Sequence, residues 1–328
     1  MNSGKNSNVW LLAVRPKTLG AALAPIMIGT AMAFAEGKGH AGVALVALLG
    51  ALLIQIGTNF SNDYFDFIKG ADTEERLGPM RATQAGLVTP QAMLRNFVFV
   101  FGLAVLVGIY LVYRGGWPIV IIGILSIASG ILYTGGPMPL GYLGLGDLFV
   151  LIFFGPVAVG GTYYVQSLEI SAVVILAGFG PGLLATALLA VNNLRDEPTD
   201  KKVAKKTLAV RFGPGFARAE YLTTFALALI IPFVLAFITG AHWFACLSVL
   251  IIIPGRSAIR QIISGVQGIE LNETLAVTGK LIIIYSVLFF AWLVDRIKMN
   301  SYRWELFRYS LPLKEPLRML GQVLNERG

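Results

Sequence analysis

A run of lipid-grade hydrophobicity ends in four polar side chains, Asn59, Asn62, Asp63 and Asp66. Carboxylates at the mouth of a membrane helix are costly and mark ligand sites. If the helix carrying Leu48 to Ile56 continues to Asp66, the spacings 59/62, 59/63, 62/66 and 63/66 put all four on one side. A second apolar run closes in Asn192, Asn193 and Asp196, with Asp200 four residues on. Pro198 predicts a helix stop near Glu197, leaving Asp200 on a loop or on a short helix that the proline opens. If the two loops converge, Asp63, Asp66, Asp196 and Asp200 bring about four negative charges together, and these repel unless hard cations lie between them. Mg2+ suits such oxygen donors and is commonly shared between carboxylates and substrate phosphates. Arg76, Arg81, Lys205 and Lys206 would take the remaining phosphate charge. Solvated surface loops have no need of Asn and Asp at helical spacing at the ends of two apolar runs.

The elements that must position these residues are membrane helices. Hydrophobic residues make up 56% of the 328 and charged residues 13%, with a mean hydropathy of +0.72. That composition describes an all-α, polytopic membrane protein. Candidate spans are Trp10 to Ala35, Ala41 to Phe65, Ala92 to Tyr113, Trp117 to Tyr133, Leu143 to Gln166, Ser171 to Leu194, Tyr221 to Thr239, His242 to Ile263 and Thr274 to Val294. Most approach the roughly 20 residues that cross a bilayer, which makes about nine helices. Arg15, Pro16 and Lys17 interrupt the first span and argue against a cleaved signal peptide. The single cysteine, Cys246, excludes disulfide frameworks. His40 and His242 lie in short connections away from both motifs.

Lys and Arg crowd the connections after helices two, six and eight, among them Lys69, Arg81, Lys205, Lys206 and Arg256. The connections after odd-numbered helices hold only Lys38 and Arg114. Both motif loops are therefore expected in the cytoplasm. The net charge of +8 is explained by these loops and calls for no nucleic acid.

The segments Asn62-Asp63-Tyr-Phe-Asp66 with Arg76-Leu-Gly-Pro-Met-Arg81, and Asn192-Asn193-Leu-Arg195-Asp196 to Asp200 with Lys206-Thr207-Leu-Ala-Val-Arg211, resemble the two signature loops of the UbiA-type membrane prenyltransferases. Within that superfamily they look most like the branch that prenylates 1,4-dihydroxy-2-naphthoate in menaquinone biosynthesis. The stretch from Tyr133 through Tyr142 to Asp147 is similar to the same branch. One difference is that the family's third acid usually follows four residues after the second, whereas Asp72 lies six after Asp66. The resemblance implies helices around a central lipid-accessible cavity in the inner or plasma membrane of a prokaryote, with the bilayer itself as a partner. It implies a Mg2+-dependent transferase in which Asp63, Asp66, Asp196 and Asp200 hold the metal and polyprenyl diphosphate. Asn59, Asn62 and Asn192 would be neutral ligands or hydrogen-bond partners, and Arg76, Arg81, Arg195, Lys205 and Lys206 would bind substrate. Tyr133 and Tyr142 would face the allylic cation or orient the aromatic ring. The acceptor would be 1,4-dihydroxy-2-naphthoate, losing its carboxylate to give demethylmenaquinone. Other acceptors, 4-hydroxybenzoate or homogentisate, would keep the same metal ligands. A transporter, the reading from another class, would place its carboxylates near the bilayer midplane.

Residues 1–297 read as the membrane domain and 298–328 as a non-membrane tail. From Met299 the tail is similar to the opening of o-succinylbenzoate synthase, a soluble enzyme of the same pathway. It reads either as a truncated fusion segment or as a peripheral amphipathic tail.

Overall fold

The computed structural model describes residues 3–71 and 77–290. Asp72, Arg76 and the tail 298–328 lie outside the described residues. Every regular element among the described residues is helical. The first span is two helices, α1 (Ser3–Val14) and α2 (Pro16–Ala35), joined at Arg15 in a left-handed conformation. Proline at the first position of α2 costs no hydrogen bond, because that N–H would have no partner in the helix. Then follow α3 (Ala41–Ile68), α4 (Pro90–Gly115), α5 (Trp117–Leu132), α6 (Gly146–Phe153), α7 (Pro156–Ser167) and α8 (Ala172–Lys202). α9 (Leu208–Thr239) breaks at Gly213 just before Pro214. A 3-10 stretch, Trp243–Ile251, leads into α10 (Ile252–Ile263), and α11 (Leu271–Phe289) completes the bundle.

Eight of the described helical stretches are long and apolar enough to cross a membrane. The shorter apolar α5 is the ninth, in the place expected from sequence. The protein is thus an all-helical, multi-pass membrane protein. Its main core lies between α2, α7, α8, α9 and α11, where Ile28, Val159, Leu184, Leu235 and Ile282 have no accessible surface. Leu106, Tyr113 and Ile124, on α4 and α5, face outward, as lipid-facing residues do. Between membrane helices association depends on close packing more than on hydrophobic burial. Gly178 and Gly182 show how α8 achieves it: added Cβ atoms would stand 2.6 Å from Pro156 Cα and 2.6 Å from the Leu151 carbonyl oxygen.

One expectation from sequence is overturned. α8 runs through Pro198 to Lys202, where the proline was expected to end it near Glu197. Proline removes only one intrahelical N–H, and here it falls in the penultimate turn. Neighbouring bonds hold that turn: Thr199 Oγ1 donates to the Asp196 carbonyl (2.9 Å), and the Lys205 N–H donates to the Asp200 carbonyl (3.0 Å). Asp200 is therefore helical, one turn from Asp196 on the same face.

Candidate active site

The four polar residues of α3 line one side of the helix, i, i+3, i+4 and i+7, but their side chains take different partners. Asn59 Nδ2 donates to the Val14 carbonyl (2.8 Å) and to Thr18 Oγ1 (3.1 Å), tying α3 to the α1–α2 junction. Trp10 packs beside it on Phe60, ring centroids 5.7 Å apart. Asp63, almost fully buried, accepts the backbone N–H groups of Ala82 at Oδ2 (3.1 Å) and Thr83 at Oδ1 (3.2 Å). Asn62 and Asp66 turn toward Arg81 and the 134–142 stretch. Residues 59 and 62, three apart on a helix, differ by about 60° around its axis, enough to give them different neighbours on that one side. Asn59 acts here as a hydrogen-bond partner of the α1–α2 junction.

Asp66 is held by two groups. Arg81 Nη2 reaches Oδ2 (3.0 Å) and Tyr142 Oη donates to Oδ1 (3.0 Å). Asp63 secures the loop that bears Arg81, so one turn of α3 both carries a carboxylate and fixes the cation facing it. Asn62 Oδ1 accepts from Thr134 Oγ1 (2.9 Å). Lys69 was counted from sequence only as loop charge. Its Nζ donates to the carbonyls of Thr134 (2.6 Å) and Gly136 (3.0 Å) and lies 5.1 Å from the Tyr142 ring centroid. Lys205 Nζ is 5.8 Å from the same centroid.

The α8 face is built around Arg195, 1% exposed. Its Nε and Nη2 grip Asp196 at 2.8 Å and 2.6 Å, Nη2 also donates to Asn192 Oδ1 (2.9 Å), and Nη1 donates to Asn272 Oδ1 (2.8 Å). Asn272, which carries no sequence signal, donates in turn to the Leu77 carbonyl (3.1 Å). It thereby joins α11, the second motif and the loop of the first. Asp200 pairs with Lys205 (3.3 Å). Lys206 is exposed, and its backbone N–H donates to the Tyr142 carbonyl (2.9 Å). At Gly144 (φ 70°) a Cβ would stand 2.9 Å from the Lys206 carbonyl oxygen. Only glycine lets the 140–146 turn lie against the loop after α8.

Charge ties these groups together. Burial pulls the Lys205 ammonium pKa down, but Asp200, Asp66 and Asp196 more than offset this and leave it above the ordinary lysine value. Lys69 moves the other way: desolvation lowers its pKa, against an opposing pull from Asp66. The Tyr133 hydroxyl is raised by desolvation first, then by the carboxylates of Asp147, Asp66 and Asp200, so it stays protonated.

Among the described residues no three acidic or histidine side chains form a ready metal cluster. Each carboxylate of the expected quartet is held by a cation, a tyrosine or backbone N–H groups. The donors still suit a hard divalent ion. Asp66, Asp196 and Asp200 act on one another or on Lys205 electrostatically. Asp200 Oδ2 is buried with no hydrogen-bond partner among the described residues, an open oxygen valence of the kind a cation fills.

The apolar helical bundle gathers two acidic motifs and a basic rim at one end, the layout of a membrane-embedded site for an anionic ligand. Over residues 22–264 the chain matches the UbiA prenyltransferase family, and it belongs to that family. It is 38% identical over 290 residues to the 1,4-dihydroxy-2-naphthoate octaprenyltransferase of Haemophilus influenzae, covering 86% of this chain and 94% of that protein. It is 44% identical over 218 residues to the protein of the same name from Escherichia coli, covering 65% of this chain and 71% of that one. Its fold is that of a UbiA homolog from Archaeoglobus fulgidus, with TM-score 0.63 and 18% identity over 88% of this chain and 99% of that chain. The same homolog bound to GPP and Mg2+ aligns with TM-score 0.60 and 15% identity, over 87% of this chain and 99% of that chain.

Proposed function

We propose that this protein transfers a polyprenyl group from polyprenyl diphosphate to 1,4-dihydroxy-2-naphthoate, with loss of the acceptor's carboxylate, to give demethylmenaquinone. The observation that carries the reading is 38% identity to a naphthoate octaprenyltransferase across 94% of that protein, in a chain whose two acidic motifs converge. Asp66, Asp196 and Asp200 would hold Mg2+, with Asn62 and Asn192 as neutral oxygen donors; when bound, Mg2+ supplies positive charge for the leaving diphosphate. Asp63 would join them at the metal, and it holds the Arg81 loop through the Ala82 and Thr83 amides. Arg81 and Lys205, both close to the motif carboxylates, take up charge on the diphosphate as the allylic C1–O bond breaks. Lys206, exposed on the loop after α8, adds attraction for the diphosphate. Arg195 keeps Asp196 in register. Tyr142 steadies Asp66, and its ring, between two ammonium groups, offers a π-face toward cationic charge. The prenyl tail would lie among apolar helices, and the Lys and Arg of the motif loops support a site on the cytoplasmic side of a prokaryotic inner or plasma membrane.

The test is product formation by the membrane-embedded protein from a polyprenyl diphosphate and, in parallel, 1,4-dihydroxy-2-naphthoate or 4-hydroxybenzoate, with and without Mg2+. The reading requires a Mg2+-dependent prenylated naphthoquinol and released CO2. Product from the benzoate alone would overturn the acceptor, and product independent of divalent cations would overturn the site.

A further inference from the structure

The carboxylate of Asp147 has no role in the site described so far. It lies in the first turn of α6 and is 6% exposed, and its Oδ1 is buried with no hydrogen-bond partner among the described residues. No described cation forms an ion pair with it. A buried, unpaired ionisable group inside a membrane protein is a functional site by default, because burial without a partner costs more than an isolated packing role returns. Groups within electrostatic reach of it include the Tyr133 hydroxyl and Glu220 on α9.

Its position relative to the diphosphate end is fixed through Tyr133. A Cβ at Gly146, next to Asp147 in the chain, would stand 2.9 Å from Tyr133 Oη. The same hydroxyl is within electrostatic reach of Asp66 and Asp200. Tyr133 is therefore the common neighbour of the motif carboxylates and of Asp147.

We infer that Asp147 holds the ring hydroxyl of the aromatic acceptor and takes its proton as the new carbon–carbon bond forms. The inference rests on the function proposed above. The electron pair of the hydroxyl O–H bond enters the ring as its proton passes to Asp147 Oδ1. A pair from the carboxyl-bearing ring carbon forms the bond to C1, and the pair of the C1–O bond leaves with diphosphate. The ring oxygen is now a ketone β to the carboxylate, so loss of CO2 returns an electron pair to the ring. The resulting naphtholate recovers the proton from Asp147, and no oxidant or reductant enters. Glu220 supplies no cation to compete for the carboxylate. The protonated Tyr133 hydroxyl is placed to donate to a second oxygen of the acceptor.

The experiment compares wild type, Asp147→Asn and Asp147→Glu on 1,4-dihydroxy-2-naphthoate and on its ether methylated at the hydroxyl adjacent to the carboxylate. Wild type is run first: if it prenylates no hydroxyarene, the proposed function itself fails and takes this inference with it. With wild type active, the Asn variant should lose about 10²–10⁴-fold in kcat/KM for the naphthoate, the usual range for a removed acid–base group. Its KM for polyprenyl diphosphate should stay within twofold. The Glu variant should recover at least tenfold over Asn, which a merely structural role would not predict. On the methyl ether, wild type and Asn should be equally slow, because the proton at issue is gone. Asn activity within threefold of wild type, equal loss with donor and acceptor, no recovery in Glu, or a persisting wild-type advantage on the ether would each overturn the assignment while leaving the prenyltransferase reading intact.

Discussion

Asn272 ties together three parts of the chain, and its removal should show what that tie is worth. In Asn272→Ala the Nη1 of Arg195 loses its acceptor in a side chain only 1% exposed. A buried charged donor left unsatisfied costs about 1–3 kcal/mol. The lost bond to the Leu77 carbonyl adds about 0.5–1 kcal/mol, at the lower end because Leu77 is only half-buried and water can replace the donor. The sum is about 1.5–4 kcal/mol. Asn272→Asp keeps an acceptor for Arg195 and loses only the bond to Leu77, so it should cost about 1 kcal/mol or less. Unfolding free energies in mixed micelles would order the proteins wild type, Asp, Ala. If half or more of the Ala penalty falls on placement of the 77–81 loop, kcat/KM for the diphosphate falls about tenfold or somewhat more. An Asp variant as unstable as Ala, or an Ala variant within 0.5 kcal/mol of wild type, would refute the argument that this side chain joins the two motifs.

Other perturbations separate the roles of neighbouring residues. Asp66→Asn should abolish turnover in a protein that still extracts folded, whereas Asn59→Leu should lower stability by about 1–3 kcal/mol and leave kcat within threefold; a reversed pattern, read by unfolding and turnover assays, would make Asn59 a ligand of the site. Tyr142→Phe keeps the ring and loses only the bond to Asp66, so turnover should fall about 2- to 13-fold from a net bond of about 0.5–1.5 kcal/mol, and Tyr142→Ala should fall further. Lys205 has a folded pKa raised above 10.5; the folded state binds its proton more tightly than the unfolded one, so its stabilisation is fully present below 10.5 and is lost as pH rises beyond it. Unfolding midpoints measured from pH 9.5 to 11.5 should fall more steeply in wild type than in Lys205→Met, and parallel curves would contradict the ion cluster.

The sequence reveals the spans well because twenty apolar residues leave an unmistakable hydropathy signal. The motif residues also stand out, since Asn and Asp at the ends of two apolar runs are costly there. Their division of labour is hidden. Residues 59, 62, 63 and 66 are all compatible with one broad helical face, and only the neighbours, Val14 for Asn59 and the Ala82–Thr83 amides for Asp63, decide which way each turns. Pro198 is misleading for a local reason: the rule against proline in helix interiors weakens when few later bonds depend on it. Asn272 and Lys69 lie outside both acidic motifs, and their contacts join segments distant in sequence. Asp147 is visible in the sequence as part of a resembling stretch, but its unpaired oxygen is a property of packing alone.

The proline within α8 also affects how the site resets between turnovers. Upstream of it, Asp196 is clamped by a buried guanidinium through two short bonds. Downstream, Asp200 sits on a final turn missing one backbone tie and faces a lysine on a long arm at 3.3 Å. A site that takes in and expels a highly charged leaving group in every cycle must rearrange its local charge each time. The 3.3 Å Asp200–Lys205 pair is the looser of the two, so that rearrangement is expected there, with Asp196 as the fixed reference point.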